Sequence, residues 1–183
     1  MILTMEEKRA ESEKAKKILE STSFPLVLPD LIVESLGTIK PRPRYYTSST
    51  IYPVGFRTKH DWVSISDVHE QMTYVSEILD GGDSGPLFRV TSEGDEGESF
   101  EASSASGVWR KVLQRVNSLR VVQSLPPLES LPGPGFFGLS NPDVQRLVEG
   151  LAGAVECDGY VFLAYRRHRA HGVPQGDGQE GSE

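Results

Sequence analysis

The spacing of apolar positions changes twice along the chain. Between Met5 and Glu20 they are sparse: Ile18 and Leu19 sit at one end, and the rest is Glu, Lys, Arg and Ala with little else. This predicts a helix supported by the i,i+4 pair Glu13–Lys17. With so little apolar face it reads as solvated and partly frayed, the alternative being a helix that docks on a partner. Removing Met1 to Glu20 is therefore expected to leave the fold intact. From Phe24 the chain turns aliphatic and β-branched. PLVLPDLIVESLGTI, broken by Pro25, Pro29 and Gly37, predicts short strands. Thr50 to Arg57 is strand-like, with Pro53 placed at an edge or bulge because it has no N–H to donate. Trp62 to Ile65 and Met72 to Leu79 are two further strands. In the second, Met72, Tyr74, Ser76 and Ile78 alternate with Thr73, Val75 and Glu77. Gly81 and Gly82 make a turn, and Pro86 to Thr91 closes the set.

The pattern then lapses. Ser92 to Glu101 carries Glu93, Asp95, Glu96, Glu98 and Glu101 spaced by Gly and Ser, and reads as a mobile acidic loop. Beyond it the period becomes helical. Trp109, Val112, Leu113, Val116 and Leu119 form one wide stripe, with a serine among Ser103, Ser104 and Ser106 as cap. A Pro/Gly loop leads to a second helix with Asn141 as N-cap, Pro142 at the first position and Asp143 beside the positive dipole end. Its stripe is Val144, Leu147, Val148 and Leu151, and Gly153 is its expected stop. GYVFLAYRR after Cys157 reads as a final strand that must join the earlier ones, since a lone strand is not stable. The tail from His168 is Gly-, Gln- and Glu-rich and reads as disordered. Strands, then helices, then a strand predict an α+β fold. We expect one antiparallel sheet built from both halves of the chain, with helices packed on one face.

Composition narrows the function. The chain has 183 residues, a formal net charge of −7 and a pI near 5.2. No run approaches the ~20 apolar residues that cross a bilayer, and the charged start is unlike a secretory signal. The acidic balance argues against a phosphate-backbone binder. Its one cysteine, Cys157, excludes an internal disulfide and, between Glu156 and Asp158, is disfavoured as a thiolate. One cysteine and four histidines offer no zinc signature, and no cofactor is implied. GGDSGPLF invites comparison with a protease nucleophile loop, with Ser84 as nucleophile and His60–Asp61 or His69–Asp67 as helpers. It is one glycine short for that role, and the histidines precede it too closely. A hydrolase using Ser84 stays a remote alternative to a Gly-rich turn. PGPGFFG lacks the lysine of a phosphate loop and is read as a turn that buries Phe136 and Phe137. Two basic clusters remain: Arg42, Arg44, Arg57, Lys59 and His60 if their loops converge, and Arg166, Arg167 and Arg169. Each is read as a solubilising group, a docking patch for an acidic segment, or a weak nucleic-acid contact.

Together these segments resemble a known family. LGTI…YYTSSTIYPVGFRT, Leu36 to Thr58, and EILDGGDSGPLFRV resemble the FY-rich N-terminal (FYRN) motif. SGVWRKVLQRVNSLR with GPGFFGLSNPDVQRLVEGLAGAVECDGYVF resembles the FY-rich C-terminal (FYRC) motif. The resemblance divides the chain into a charged N-terminal helix at 1–23, an FYR domain at 24–167 and a tail at 168–183. Within the domain lie an FYRN-like part at 35–91, the acidic loop at 92–101 and an FYRC-like part at 103–167. It implies structural roles for Tyr52, Pro53, Gly55, Phe56, Gly107, Trp109, Phe137, Gly138, Asn141 and Pro142. It implies one α+β module without catalytic residues, of the kind found in trithorax-type histone methyltransferases, plant jumonji demethylases and a transforming growth factor beta regulator. The chain carries no SET, jumonji, PHD or bromodomain sequence, and its initiating Met and polar ends suggest a whole protein. We therefore expect a nuclear, non-enzymatic adaptor that binds protein subunits of a chromatin complex, among them a histone methyltransferase or demethylase. Arg42, Arg44, Arg57, Lys59, Arg166 and Arg167 are the candidate contacts, and a nucleic-acid-binding chromatin protein is the alternative.

Overall fold

The computed structural model describes residues 3–94, 97–130 and 133–166. Helix α1 (Met5–Glu20) is followed by strands β1 (Leu26–Leu28), β2 (Leu31–Ser35), β3 (Arg57–Val63), β4 (Gln71–Asp80), β5 (Pro86–Ser92) and β6 (Ser99–Ala102). Helices α2 (Ala105–Val122), α3 (Gly133–Phe137), α4 (Pro142–Glu149) and α5 (Leu163–Arg166) complete it. The six strands form one antiparallel meander in sequence order. The α+β expectation holds, and both halves of the chain do build the sheet.

The second half contributes in a way the pattern did not predict. The expected acidic loop contains β6, which pairs with β5 from Thr91↔Ser99 to Phe88↔Ala102. Phe100 and Ala102 face inward and are packed against the core, while the intervening Glu101 faces out. Two apolar residues on four positions are too faint an alternation to stand out among acidic neighbours. The final strand, by contrast, does not form. After Cys157 the chain makes one backbone bond to the earlier loops, Val161 N–H to Ser48 O, then turns into α5. Thr50 to Val54 also stays out of the ladder. It folds back on its own loop through the Thr38↔Val54 and Tyr46↔Ile51 bridges, and β3 starts at Arg57. Gly153 is not the stop of α4, which ends at Glu149; it opens a short 3-10 turn instead. The tail expected to be disordered, from His168, and the candidate contact Arg167 lie outside the described residues.

The inner face of the sheet and the apolar stripe of α2 make the core. Ser104 caps α2 by accepting from Gly107 N–H at 2.9 Å. Trp109, fully buried, stacks on Phe136 with ring centroids 4.8 Å apart and meets Tyr74 edge-on at 5.4 Å. Phe137 is also buried and sits edge-on to Phe88. Thr58 Oγ1 on β3 donates to Phe137 O, which fixes α3 over the sheet. Gly138 ends that turn with φ +85, and a Cβ there would lie 2.2 Å from Leu31 Cδ2. The left-handed φ favours glycine here, and any Cβ would require the Leu31 side chain to move.

The second packing unit joins α1 to α4. Asn141 caps α4 by accepting from the N–H groups of Asp143 and Val144, with Pro142 at the first position. A capping box between Thr4 and Glu7 starts α1. Contrary to the expectation of a solvated helix, α1 lies against α4 with Ala15 fully buried and Lys8 and Glu11 nearly so. The contact uses small and polar groups. Gly150 approaches so closely that a Cβ would lie 2.7 Å from Ala15 C. Ser12 Oγ donates to Glu149 O at 2.8 Å, and Arg146 bridges Glu11 and Glu149. The Glu149 side chain is wholly buried. Its carboxylate accepts from Tyr160 OH at 3.0 Å, Leu163 N–H at 2.7 Å and Arg146 Nη1 at 3.1 Å. It thereby starts α5 and explains why the segment after Cys157 is not a strand.

Trp109→Ala is expected to lower unfolding free energy in urea by about 3–5 kcal/mol, the range for deleting a fully buried large aromatic. A second test addresses α1. Gly150→Ala forces a methyl into the Ala15 backbone and is expected to cost about 1–3 kcal/mol. The same substitution in a chain lacking residues 1–20 is expected to cost much less, as differential scanning calorimetry would register.

Candidate functional site

The basic residues singled out from the sequence do not form one patch. Arg57 and Lys59 project from β3 onto the outer face of the sheet. The Arg57 guanidinium pairs with Glu34 on β2 and Glu77 on β4, and Lys59 Nζ pairs with Glu34 at 3.1 Å and Glu93 at 2.6 Å. The register continues the row through Glu77↔Arg89↔Glu101, with Arg89 and Glu101 2.6 Å apart. Charges thus alternate across the strands. Hydrogen bonding to Glu34, then to Glu77, raises the Arg57 pKa, and pairing with Glu93 and Glu34 raises that of Lys59. Partial burial of Glu34 opposes its ionisation, but bonds from Arg57 and Lys59 outweigh it and hold the carboxyl below its usual range.

The other basic residues lie elsewhere. Arg42 pairs with Asp80 at 2.8 Å beside the β4–β5 turn and lies over the Tyr45 ring. Asp80 is held below the usual carboxylate range first by the Tyr45 hydroxyl. Arg44 donates to Ser84 O. Arg166 donates to Val161 O and lies over the Tyr160 ring. His60 points the opposite way from Lys59, into the aromatic core.

The residues given structural roles sit at core and turn positions. Phe56 is fully buried, Pro53 is buried and Tyr52 is edge-on to Phe88. Gly55 N–H donates to Ile78 O, and Ile78 N–H to Phe56 O, which ties the loop before β3 onto β4. Ser84 closes an exposed 3-10 turn, Gly82–Ser84. The histidines named as its helpers are engaged elsewhere: His69 Nε2 bonds Gln123, and His60 stacks on Trp109 and Phe136. Cys157 is buried, and burial followed by the charge of Glu156 pushes its thiol up to about 11. Among the described residues no cluster of three metal-ligating side chains occurs.

One concavity is a feature the sequence did not flag. β2 pairs with β3 only from Arg57 to Lys59, so beyond that point β3 has β4 on one side and, among the described residues, no strand on the other. A groove of about 1270 Å³ opens there, between the β1–β2 hairpin and the start of α4. His60 and Phe136 form its aromatic floor, 4.8 Å apart, with Val27 and Ile32 on the hairpin side and Asp30, Asp61 and Asp143 around it. The two nitrogens of His60 are buried without a hydrogen-bond partner. Burial lowers its pKa from 6.5 to about 4, against a smaller opposing pull from Asp61.

The sequence carries both regions of a family defined by two F/Y-rich segments. Residues 23–81 match the F/Y-rich N-terminus model and residues 85–170 the F/Y rich C-terminus model, in order and nearly contiguous. The chain belongs to the FYR-domain family. It is 34% identical over 148 residues to transforming growth factor beta regulator 1 of Xenopus tropicalis, covering 80% of this chain and 36% of that protein. It is 31% identical over 139 residues to a histone H3-lysine(4) N-trimethyltransferase of Arabidopsis thaliana, covering 73% and 13%. With a lysine-specific demethylase of Oryza sativa subsp. japonica it shares 34% identity over 122 residues, covering 62% and 10%. The chain therefore spans about a third of the first relative and about a tenth of the two enzymes.

The histidine sets a pH dependence. Its folded-state pKa lies below the usual value, so unfolding takes up a proton between about 6.5 and 4. The stability from keeping His60 neutral is fully present above the upper value and is lost as pH falls through this window. His60→Phe, which suits the aromatic surroundings, is expected to flatten that part of the stability profile in urea titrations at stepped pH.

Proposed function

We propose that this chain is a non-enzymatic protein-interaction module, an adaptor subunit of a nuclear chromatin-modifying or transcriptional complex. One observation carries the reading. The part shared with proteins named as a histone methyltransferase, a demethylase and a growth-factor regulator is the F/Y-rich module, and little else of those proteins is covered. A module kept among partners of different chemistry serves what they have in common, which is assembly rather than one reaction. The arrangement of charge supports a protein partner over a nucleic acid. Arg42, Arg57 and Lys59 are each paired with carboxylates, so they offer a polyanion little net attraction.

The test is affinity purification of the tagged protein at native level, followed by mass spectrometry. The expected result is recovery of a histone methyltransferase or demethylase by the wild-type chain, with loss of recovery for Trp109→Ala. Recovery of no chromatin protein by a well-folded wild-type chain would overturn the reading.

A further inference from the structure

We infer that the groove beside the free edge of β3 binds an extended, basic segment of a partner protein, added as a strand next to Asp61. The inference rests on the reading of the chain as an interaction module, and it names the surface and the chemistry of what binds there. Three observations converge. Among the described residues the backbone of β3 beyond Lys59 lacks a strand neighbour on the β2 side; Val63 O is taken by the Tyr74 hydroxyl at 2.6 Å, and the edge at Asp61 is a template for an incoming strand. The walls suit side chains that alternate. On one face an added strand meets His60 and Phe136; on the other it meets Asp61 and Thr73. Val27, 71% exposed, and Ile32, 37% exposed, extend the apolar surface on the hairpin.

Charge decides the occupant. Lys59, the lysine lining the groove, is committed to Glu34 and Glu93. Asp30, Asp61 and Asp143 have no cationic partner among the described residues; Asp61 accepts only from the Thr73 hydroxyl at 2.6 Å. The groove is therefore a negatively charged channel with an aromatic floor. A polyanion is repelled by it, and a second copy of a chain with net charge −7 is a poor fit. A segment alternating basic and apolar residues matches the open edge, the floor and the rim.

The experiment titrates the full chain against a labelled peptide of alternating lysine and valine, read by fluorescence anisotropy and by amide chemical shifts. Saturable binding is expected, with shifts centred on Asp61. Affinity should fall roughly tenfold when Asp30→Asn, Asp61→Asn and Asp143→Asn are combined, since each rim charge contributes a fraction of a kcal/mol. Circular dichroism establishes that this variant folds, and Val27→Lys on the exposed wall is a second variant expected to weaken binding. The same peptide N-methylated on alternate amides should lose binding, because it cannot complete a ladder, and a glutamate–valine peptide should not bind. Equal binding of the N-methylated or the acidic peptide, or no effect of the triple variant, would overturn the inference. Binding that appears only after removal of residues 167–183 would assign the groove to the basic stretch that begins at Arg167. A dimer whose contacts cover Asp61 would assign it to a second copy. Either result overturns a partner as occupant. If the peptide fails while chromatin proteins are still recovered, the groove assignment falls alone; the converse result removes the adaptor reading and keeps the groove.

Discussion

A carboxylate removed from water must be fully satisfied or the fold fails, and Glu149 imposes that condition here. Its oxygens take hydrogen bonds from Tyr160, Leu163 and Arg146, and its own backbone carbonyl takes one from Ser12. These groups come from α1, α4 and the segment leading into α5. Of the three, α1 has no large apolar face to offer, its buried residues being Lys8, Glu11 and Ala15. The buried charge therefore fixes their mutual positions where hydrophobic contact alone would be permissive. Arg146, shared between Glu149 and Glu11, extends the same network to the surface.

The other half of the molecule is held by aromatic packing. Trp109 is surrounded by His60, Trp62, Tyr74 and Phe136, so one side chain of α2 touches strands β3 and β4 and helix α3 at once. The two arrangements meet in a single continuous core that runs from Leu31 through Trp109 to Phe162. Its outer surface is organised by electrostatics instead. Arg57, Glu77, Arg89 and Glu101 face one another in register across β3 to β6, and Glu34 on β2 pairs with Arg57 and Lys59, so the basic residues there are occupied within the sheet.

What was legible in the sequence depended on the kind of signal. Helix α2 and the capped start of α4 could be read because a wide apolar stripe and an Asn-Pro-Asp start are local features. The long strand β4 was legible from its alternation. Strand β6 was not, because its inward residues are only Phe100 and Ala102 and its neighbours are acidic. The segment after Cys157 looked like a strand because Tyr160 and Phe162 are apolar and close together; a distant carboxylate, not local preference, turns it. The docking of α1 was hidden because it rests on Ala15, Ser12 and Glu11 meeting Gly150 and Glu149, and small or polar contacts leave no hydrophobic stripe. The pairing of Arg57 and Lys59 required knowing the register, and so did the short reach of β2 that opens the groove. Of the basic residues nominated as a docking patch, Arg57 and Lys59 share the outer face, and Arg42, Arg44 and Arg166 lie elsewhere.

The boundary between the two matched regions falls at the exposed turn Gly82–Ser84, between β4 and β5. Those strands make a seven-pair ladder from Tyr74↔Ser92 to Asp80↔Pro86, and the core residues on either side of the turn come from different regions. Neither region has a finished interior without the other. The peptide linkage at this turn therefore supplies effective concentration rather than shape. Cutting the chain there, or lengthening it there, would turn an intramolecular closure into an association between two fragments. The strength of that association would be set by the same ladder and the same buried rings.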